Sequence, residues 1–325
     1  MSRILLIKTS SLGDVIHNLP VASDIAARMP DAVMDWVVED VFADIPALHP
    51  RISSVIPVAT RRWRSALWRG ATWNEISRFR RRLQSHTYDL VLDTQGLLKS
   101  ALMARAAHGV RCGQDRQSAR EPLAARFYDR AYPVARGQHA VVRNRELAAL
   151  ALGYAVLATP PDYGLRLPSE RLSDDMPRDY VVCLHGSSRA TKLWPESHWI
   201  ALTRALTAQR LTPLLPWGSE AERARAEAIA AGCPGARVLP RCALRRLAQV
   251  LGQARAVVGV DTGLVHLAAA LERPVVAIYT GSDPVLTGVY PRDPTRAINL
   301  GGEGQIPGVE TVLTALMSLD RKSVV

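Results

Sequence analysis

Ala256-Val257-Val258-Gly259-Val260 runs without interruption into Asp261-Thr262-Gly263, and then into Leu264-Val265-His266-Leu267-Ala268-Ala269-Ala270-Leu271. The first five residues have the length and apolarity of a buried strand, and the last eight have the composition of a helix. Between them stand residues that begin helices: an Asp and a Thr able to cap, then a Gly. A strand feeding straight into a helix is half of a β-α-β unit, and repetition of that unit predicts a parallel sheet.

The unit recurs on both sides of this stretch. A further strand-length run follows at 275–279, and upstream the runs 180–184, 211–215 and 237–239 alternate with helix-like stretches at 196–209, 220–231 and 244–253. A separate series fills the first half, with apolar runs at 4–8, 34–38, 55–58 and 90–93 and helical spacing at 75–85 and 97–107. Between the two series, 153–179 carries four prolines and little periodicity, as an interdomain connection does. The reading is an α/β protein of two domains, 1–153 and 180–325, joined by a linker at 154–179. A chain of 325 residues suits two domains of about 150 each. Ligands of such folds bind beyond the carboxyl ends of the strands, so the crevice between the domains is where chemistry is expected.

Composition narrows the class. With 48% hydrophobic and 22% charged residues the chain is an ordinary globular one, not a disordered one. Cys112, Cys183, Cys233 and Cys242 are scattered, without a C-x-x-C pair, so buried free thiols are expected rather than disulfides or a structural metal. No apolar run approaches the roughly 20 residues of a membrane helix, and a soluble cytoplasmic protein is expected. The net charge of +11 is nearly all arginine and is uneven. Between Arg61 and Arg82 eight arginines face one acid, Glu75, which marks a surface for an anionic partner.

Four segments carry chemistry. Lys8-Thr9-Ser10-Ser11-Leu12-Gly13-Asp14 follows the first strand; Gly13 is expected to turn the chain and present Asp14, a helix cap or a base for an alcohol. His185-Gly186-Ser187-Ser188-Arg189-Ala190-Thr191-Lys192 holds the equivalent place in the second half. Its hydroxyls, amides and Lys192 suit phosphate, although a solvated loop has the same composition. At Asp261-Thr262-Gly263 the helix start offers unpaired N–H groups to a pyrophosphate, with His266 one turn in; plain capping and a half-buried histidine are the alternatives. Leu215-Pro216-Trp217-Gly218-Ser219-Glu220-Ala221-Glu222 closes another strand, where Glu222 either reaches a ribose or only favours the helix start. Asp-x-Asp, H-E-x-x-H, G-x-S-x-G and G-x-G-x-x-G are all absent, which removes the usual signatures of metal-held sugar donors, metallo- and serine hydrolysis and dinucleotide redox chemistry.

These segments together resemble the ADP-heptose:lipopolysaccharide heptosyltransferase family, type I members, which have the GT-B arrangement of two Rossmann-like domains facing across a cleft. The matching stretches run nearly end to end: KTSSLGD at 8–14, DWVVED at 35–40, RRWR at 61–64, LVLDTQGLLKSA at 90–101, AHGVRCG at 107–113, SAREPLA at 118–124, LPWG at 215–218, VDTGLVHLAAAL at 260–271 and DP at 283–284. The resemblance implies an inverting transfer of heptose from ADP-heptose, with no metal and no cofactor beyond that donor, to the Kdo of Kdo2-lipid A. Carried onto matching positions, Asp14 is the general base and Lys192 the catalytic cation. Ser10, Ser11, Gly13, Ser187, Ser188, Lys192, Glu222, Asp261, Thr262, Gly263 and His266 bind the donor, in the C-terminal domain for the most part. Arg61, Arg62, Arg64 and Arg120 bind the acceptor's carboxylates and phosphates. The last helix is a candidate to pack back on the N-terminal domain. The stretch 279–284, YTGSDP, departs from the family's more usual Gly-Pro-Thr form, which leaves its role open.

A lipid-borne acceptor also implies peripheral contact with the anionic cytoplasmic face of the inner membrane. Rival readings are a type II heptosyltransferase or another sugar transferase of the same fold, a nucleotide-sugar epimerase, and a nucleic-acid binder. Aromatic content of 6% and the absence of a recognised motif disfavour the last, so no nucleic acid is expected as a partner.

Overall fold

The computed structural model describes residues 2–156, 158–168, 172 and 175–322. It divides into two compact units, Met1–Arg166 and Leu167–Val325. The stretch expected as a linker is shared between them: Tyr163 is buried and the Arg166 N–H donates to Leu48 O at 2.9 Å within the first unit.

The first unit holds β1 (Arg3–Ile7), β2 (Val33–Glu39), β3 (Ile52–Val58), β4 (Thr87–Asp93), β5 (His108–Gln114) and β6 (Arg130–Tyr132) in one sheet of order β3-β2-β1-β4-β5-β6. All its pairings are parallel. The second holds β7 (Tyr180–Leu184), β8 (Thr212–Leu215), β9 (Arg237–Val238), β10 (Ala256–Val260), β11 (Val275–Tyr279) and β12 (Ala297–Gly301), in the order β12-β11-β10-β7-β8-β9. Read from the other edge this is the same winding. In each unit the first three strands step outward in one direction and the fourth returns to the far side of the first. Two Rossmann-like units of this kind make up the GT-B class of fold expected from the sequence.

The burial pattern explains why the central strands are uninterrupted apolar runs. β7, β10 and β11 are buried at every position because helices cover both faces of a parallel sheet. One core gathers Leu5, Ile7, Val37, Ile56 and Val91 with Leu83 and Met103. The other gathers Val181, Cys183, Val258, Val276 and Ile278 around Trp194 and Trp199. The last helix, Val309–Lys322, belongs to that second core through Val312, Leu316 and Leu319. Gly259 shows how tightly sheet and helix meet: a Cβ there would lie 2.6 Å from Leu184 and from Val265. The cysteines are free thiols, three buried and Cys242 half-buried. Among the described residues no helix is long and apolar enough to cross a membrane.

Candidate active site

A sheet wound in this order has one switch point, where connections leave neighbouring strands in opposite directions and their loops part. In the second unit it lies between β7 and β10, and the loops that part there are 185–193 and 261–263. Lys192 Nζ reaches across to Asp261 Oδ2 at 2.5 Å, and Ser187 Oγ donates to Asp261 O at 3.4 Å. Both partners of the ion pair are mostly shielded, with side chains 20% and 10% exposed, which strengthens the attraction over that of a surface pair. Ser188 is exposed beside them.

Helix Gly263–Ala270 begins at this spot. Its N-cap, Thr262, has an extended backbone and makes no side-chain cap hydrogen bond. His266 is buried one turn in. The positive end of the helix and Lys192 are thus brought together with the Ser187 hydroxyl. Asp261 itself carries negative charge, so its part is to hold the cation and the loop; a phosphate would be repelled by it.

Two further elements converge on the site. Glu222 is the third residue of helix Glu220–Ala231, and its Oε2 accepts the N–H of Gly218 at 2.7 Å and of Ser219 at 3.2 Å. Its Oε1 lies against Gly186, where a Cβ would come within 2.7 Å of it. Glu222 is therefore a capping residue that also touches the 185–193 loop, and the glycine is what permits the approach. The loop after β11 was left open by the sequence. Its Ser282 hydroxyl donates to Asp261 Oδ2, and its Thr280 hydroxyl donates to Thr191 O at 2.8 Å. Ser282 is thus a site residue that sequence reasoning missed; the available signal was a hydroxyl just past the strand adjoining β10. His185, fully buried at the end of β7, packs edge-on to Trp199. Burial first, and then Arg225, hold its pKa down to about 4.

The first unit's switch point lies between β1 and β4. Here Gln95, after β4, clamps the loop after β1: its Oε1 accepts from Thr9 N at 2.8 Å and Ser10 N at 3.3 Å, and its Nε2 donates to Ser10 O. Lys99 Nζ donates to Ser10 Oγ at 3.1 Å. Lys8 is buried, donating to Thr94 O at 2.8 Å and Asn144 Oδ1 at 3.3 Å. Burial lowers its pKa to about 8, against the opposing pull of Asp14 and Asp93.

Gly13 does not make the expected turn. It lies inside helix Leu12–Ile16, and the chain turns before it, at Ser10–Ser11, whose peptide bond is cis. Asp14 is on the same short helix, where the third position lets its Oδ2 accept Ser11 N–H at 2.8 Å and Ser11 Oγ–H at 3.1 Å. Arg120 comes within 3.6 Å of the same oxygen, and the Asp14 side chain remains 25% exposed.

The arginine-rich segment forms helices Thr60–Arg64 and Gly70–Leu83. Glu39, at the end of β2, accepts Thr60 Oγ1 at 2.8 Å and Arg61 N at 3.0 Å, which fixes the start of the first. Arg61 and Arg64 are exposed. Arg62 is already engaged, at 2.7 Å from Glu75 and 3.5 Å from Asp40. Of the four acceptor candidates, Arg61, Arg62 and Arg64 therefore stand together, and Arg120 stands beside Asp14 instead.

The winding defines two Rossmann-like α/β units, and in the second a hydroxyl-rich loop cluster surrounds the Lys192–Asp261 ion pair at the switch point. Residues 76–311 match the description "Glycosyltransferase family 9 (heptosyltransferase)", and the chain belongs to that family: it is a glycosyltransferase. It is 51% identical over 303 residues, 93% of this chain and 84% of the relative, to lipopolysaccharide heptosyltransferase 1 of Pseudomonas aeruginosa. It is similar to the solved E. coli heptosyltransferase WaaC with ADP, at TM-score 0.90 and 41% identity, covering 98% of this chain and 99% of that one. The same identity, with TM-score 0.85 and 99% of each chain covered, is found against WaaC with ADP-2-deoxy-2-fluoro heptose.

Proposed function

We propose that the chain moves L-glycero-D-manno-heptose from ADP-heptose onto the Kdo of Kdo2-lipid A, with inversion and without a metal ion, in assembly of the lipopolysaccharide inner core. The observation that carries this reading is the Lys192–Asp261–Ser282 cluster at the second switch point, in front of helix Gly263–Ala270. It gathers an ammonium, hydroxyls and a helix start at the place where α/β folds hold phosphates. Relatives named for heptose transfer, and a similar structure holding an ADP-heptose analogue, support the choice of donor.

In this reading the Kdo hydroxyl oxygen bonds to the anomeric carbon from the face opposite ADP, while the bond from that carbon to the pyrophosphate oxygen breaks. The electron pair leaves with ADP. Charge growing on its phosphates is met by Lys192, the Ser187 and Ser188 hydroxyls and the amides at Thr262–Gly263. Glu222 takes the ribose, while Asp261 and His266 face the sugar side. The hydroxyl proton passes to Asp14. Ser11 and Arg120 meet that residue at Oδ2, and in this reading Oδ1 accepts the proton. Ser10, Ser11 and Gly13 shape the loop that carries this carboxylate. Arg61, Arg64 and Arg120, with Arg62 once shared from Glu75, pair with acceptor carboxylates and phosphates. A lipid acceptor places the enzyme on the cytoplasmic face of the inner membrane, with its basic surface toward the anionic leaflet.

The test is ADP release from ADP-heptose, with and without Kdo2-lipid A, in excess chelator. Release that depends on the acceptor and persists in chelator is expected. Loss of activity in chelator would overturn the metal-free arrangement. Release only when a heptosylated core is supplied would move the acceptor to that of a type II enzyme. Turnover of the donor alone would point to an epimerase or hydrolase.

A further inference from the structure

We propose that the turn joining helices Thr60–Arg64 and Gly70–Leu83 is a membrane-inserting wedge: Leu67, Trp68 and Trp73 enter the interface of an anionic bilayer while the arginines around them engage its phosphates. This deepens the peripheral contact proposed above and rests on it, but it names the device and adds an apolar component.

The first observation is where tryptophan is exposed. Trp36, Trp194 and Trp199 are fully buried, and Trp63 and Trp217 are half-buried. Trp68 and Trp73 are instead 76% and 58% exposed, and Leu67 is 47% exposed. Leu67 and Trp68 lie on the turn, and Trp73 lies in the first turn of the helix that follows it. Trp73 Nε1 donates to Leu67 O at 2.8 Å, which lays its ring along the turn beside Leu67, with Trp68 next in the chain. A contiguous apolar patch of this kind marks an interaction surface, whereas scattered exposed residues do not.

The second observation is that the turn is firmly built and its core-facing side is already occupied. Thr72 Oγ1 donates to Ala66 O at 2.8 Å, and Arg69 N donates to the same oxygen at 3.0 Å. Glu75 ties the two helices together through Arg62 and Trp63 Nε1. Trp63 and Phe79 pack on each other and on the first core, which Leu83 joins. The core-facing positions of this hairpin are thus filled by Trp63, Phe79 and Leu83, and the exposed tryptophans lie off that face.

Charge selects the partner. Arg61, Arg64, Arg69, Arg78, Arg80 and Arg81 are exposed on these two helices and their connection, and the single acid there, Glu75, is already consumed by Arg62 and Trp63. Guanidinium groups bind phosphates as forks, and indole rings settle at the headgroup level, with the ring in apolar surroundings and the N–H toward polar ones. A surface of one sign studded with two indoles fits a sheet of anionic headgroups better than the mixed charges of a protein partner.

The full-length chain is mixed with phosphatidylcholine vesicles, with and without phosphatidylglycerol and lacking any acceptor. Affinity is read by flotation, and insertion by quenching of tryptophan emission with lipids brominated in the acyl chain. Binding to the anionic vesicles with quenching is expected. The Leu67→Ala/Trp68→Ala variant is expected to lose roughly tenfold in affinity and most of the quenching. Neither side chain braces the turn, so ADP release with a soluble, deacylated Kdo acceptor should stay at the parent rate. Vesicle binding without quenching, or unchanged in the variant, overturns the wedge and reduces the contact to charge alone. Absence of any vesicle binding also overturns it and leaves the patch to a protein partner. Failure of the parent with the soluble acceptor would count against the proposed reaction, since the vesicle measurements involve neither donor nor acceptor.

Discussion

The strands β4 and β10 hold equivalent places in the two units, and each leads into Asp-Thr: Asp93-Thr94 in the first, Asp261-Thr262 in the second. The outcomes differ. Asp93 is fully buried, with Oδ2 accepting the Tyr128 hydroxyl at 2.7 Å and Oδ1 the N–H groups of Gln95 and Gly96 at 2.8 and 3.3 Å. Burial raises its pKa. Asp261, its side chain 10% exposed, turns its carboxylate into the loop cluster, where it holds Lys192 and Ser282. The same winding and dipeptide thus yield a structural brace in one unit and a cationic site in the other. What distinguishes them is the partner of that carboxylate: the Tyr128 hydroxyl and backbone N–H groups for Asp93, the Lys192 ammonium for Asp261. The first loop's own carboxylate is Asp14, held by Ser11 and approached by Arg120. In the proposed reaction the Lys192 ammonium is what the second loop turns toward the donor's phosphates.

The sharpest way to break this contrast is Asp14→Asn. If the first loop exists to present a base, turnover should fall about 10²–10⁴-fold while ADP affinity stays put. An amide oxygen still accepts the Ser11 N–H, so the fold should survive, and thermal unfolding checks that. Near-normal turnover would reduce Asp14 to a helix-capping residue.

Lys192→Ala tests the other side. A cation placed against developing charge is worth about 10²–10³-fold in turnover when removed from a shielded site. Steady-state kinetics with ADP-heptose should show that loss, together with weaker ADP binding by calorimetry. Unchanged kinetics would remove Lys192 from the site and with it the distinction between the two loops.

Each unit also buries a histidine whose pKa burial pushes down, which makes stability a third probe. His49 in the first unit and His185 in the second both have pKa values pushed down to about 4, burial being the main cause. The ordinary value is about 6.5. As pH falls through 6.5 the unfolded chain takes up protons that the folded chain refuses, so stability is complete above that value and is lost toward pH 4. A shift of this size corresponds to about 3 kcal/mol for each histidine. Urea unfolding at pH 7 and pH 4.5 should show a steep loss, shallower in His49→Gln and in His185→Gln relative to each variant's own stability at pH 7. Equal slopes in all three proteins would mean that other groups dominate acid unfolding.

How legible this was in the sequence depended on burial. β7, β10 and β11 fall where the apolar runs predict them, because a strand covered on both faces has no polar positions to blur its ends. Three strands at or next to a sheet edge escaped notice: β6 is Arg-Ala-Tyr and largely exposed, β5 begins with an exposed histidine, and β12 is only half-buried. Their pairing comes from neighbouring strands, which periodicity along one chain does not register. The positions of Ser187, Lys192, Asp261 and Glu222 followed from strand ends and helix starts. Gln95 and Ser282 did not, because each matters through a partner far away in sequence. Gln95 stood in plain view after a strand, and comparison with Asp261-Thr262 would have singled it out. Gly13 misled because glycine at a strand end suggests a turn, whereas the turn was made two residues earlier.

Ser282 offers the finest test of how the second loop is organised. Asp261 Oδ2 receives both Lys192 and the Ser282 hydroxyl, so Ser282→Ala removes the hydroxyl's bond and leaves the ion pair standing. A hydrogen bond of this kind on a partly exposed group is worth about 1 kcal/mol, or roughly fivefold. Because the cation remains, the loss should appear as a higher KM for ADP-heptose with kcat nearly unchanged, the opposite of the pattern expected for Lys192→Ala. Ser282→Thr, which restores the hydroxyl, should recover most of it. If Ser282→Ala instead lowered kcat as far as Lys192→Ala does, the serine would be acting on the departing phosphate directly, and Asp261 would no longer be the residue that organises the loop.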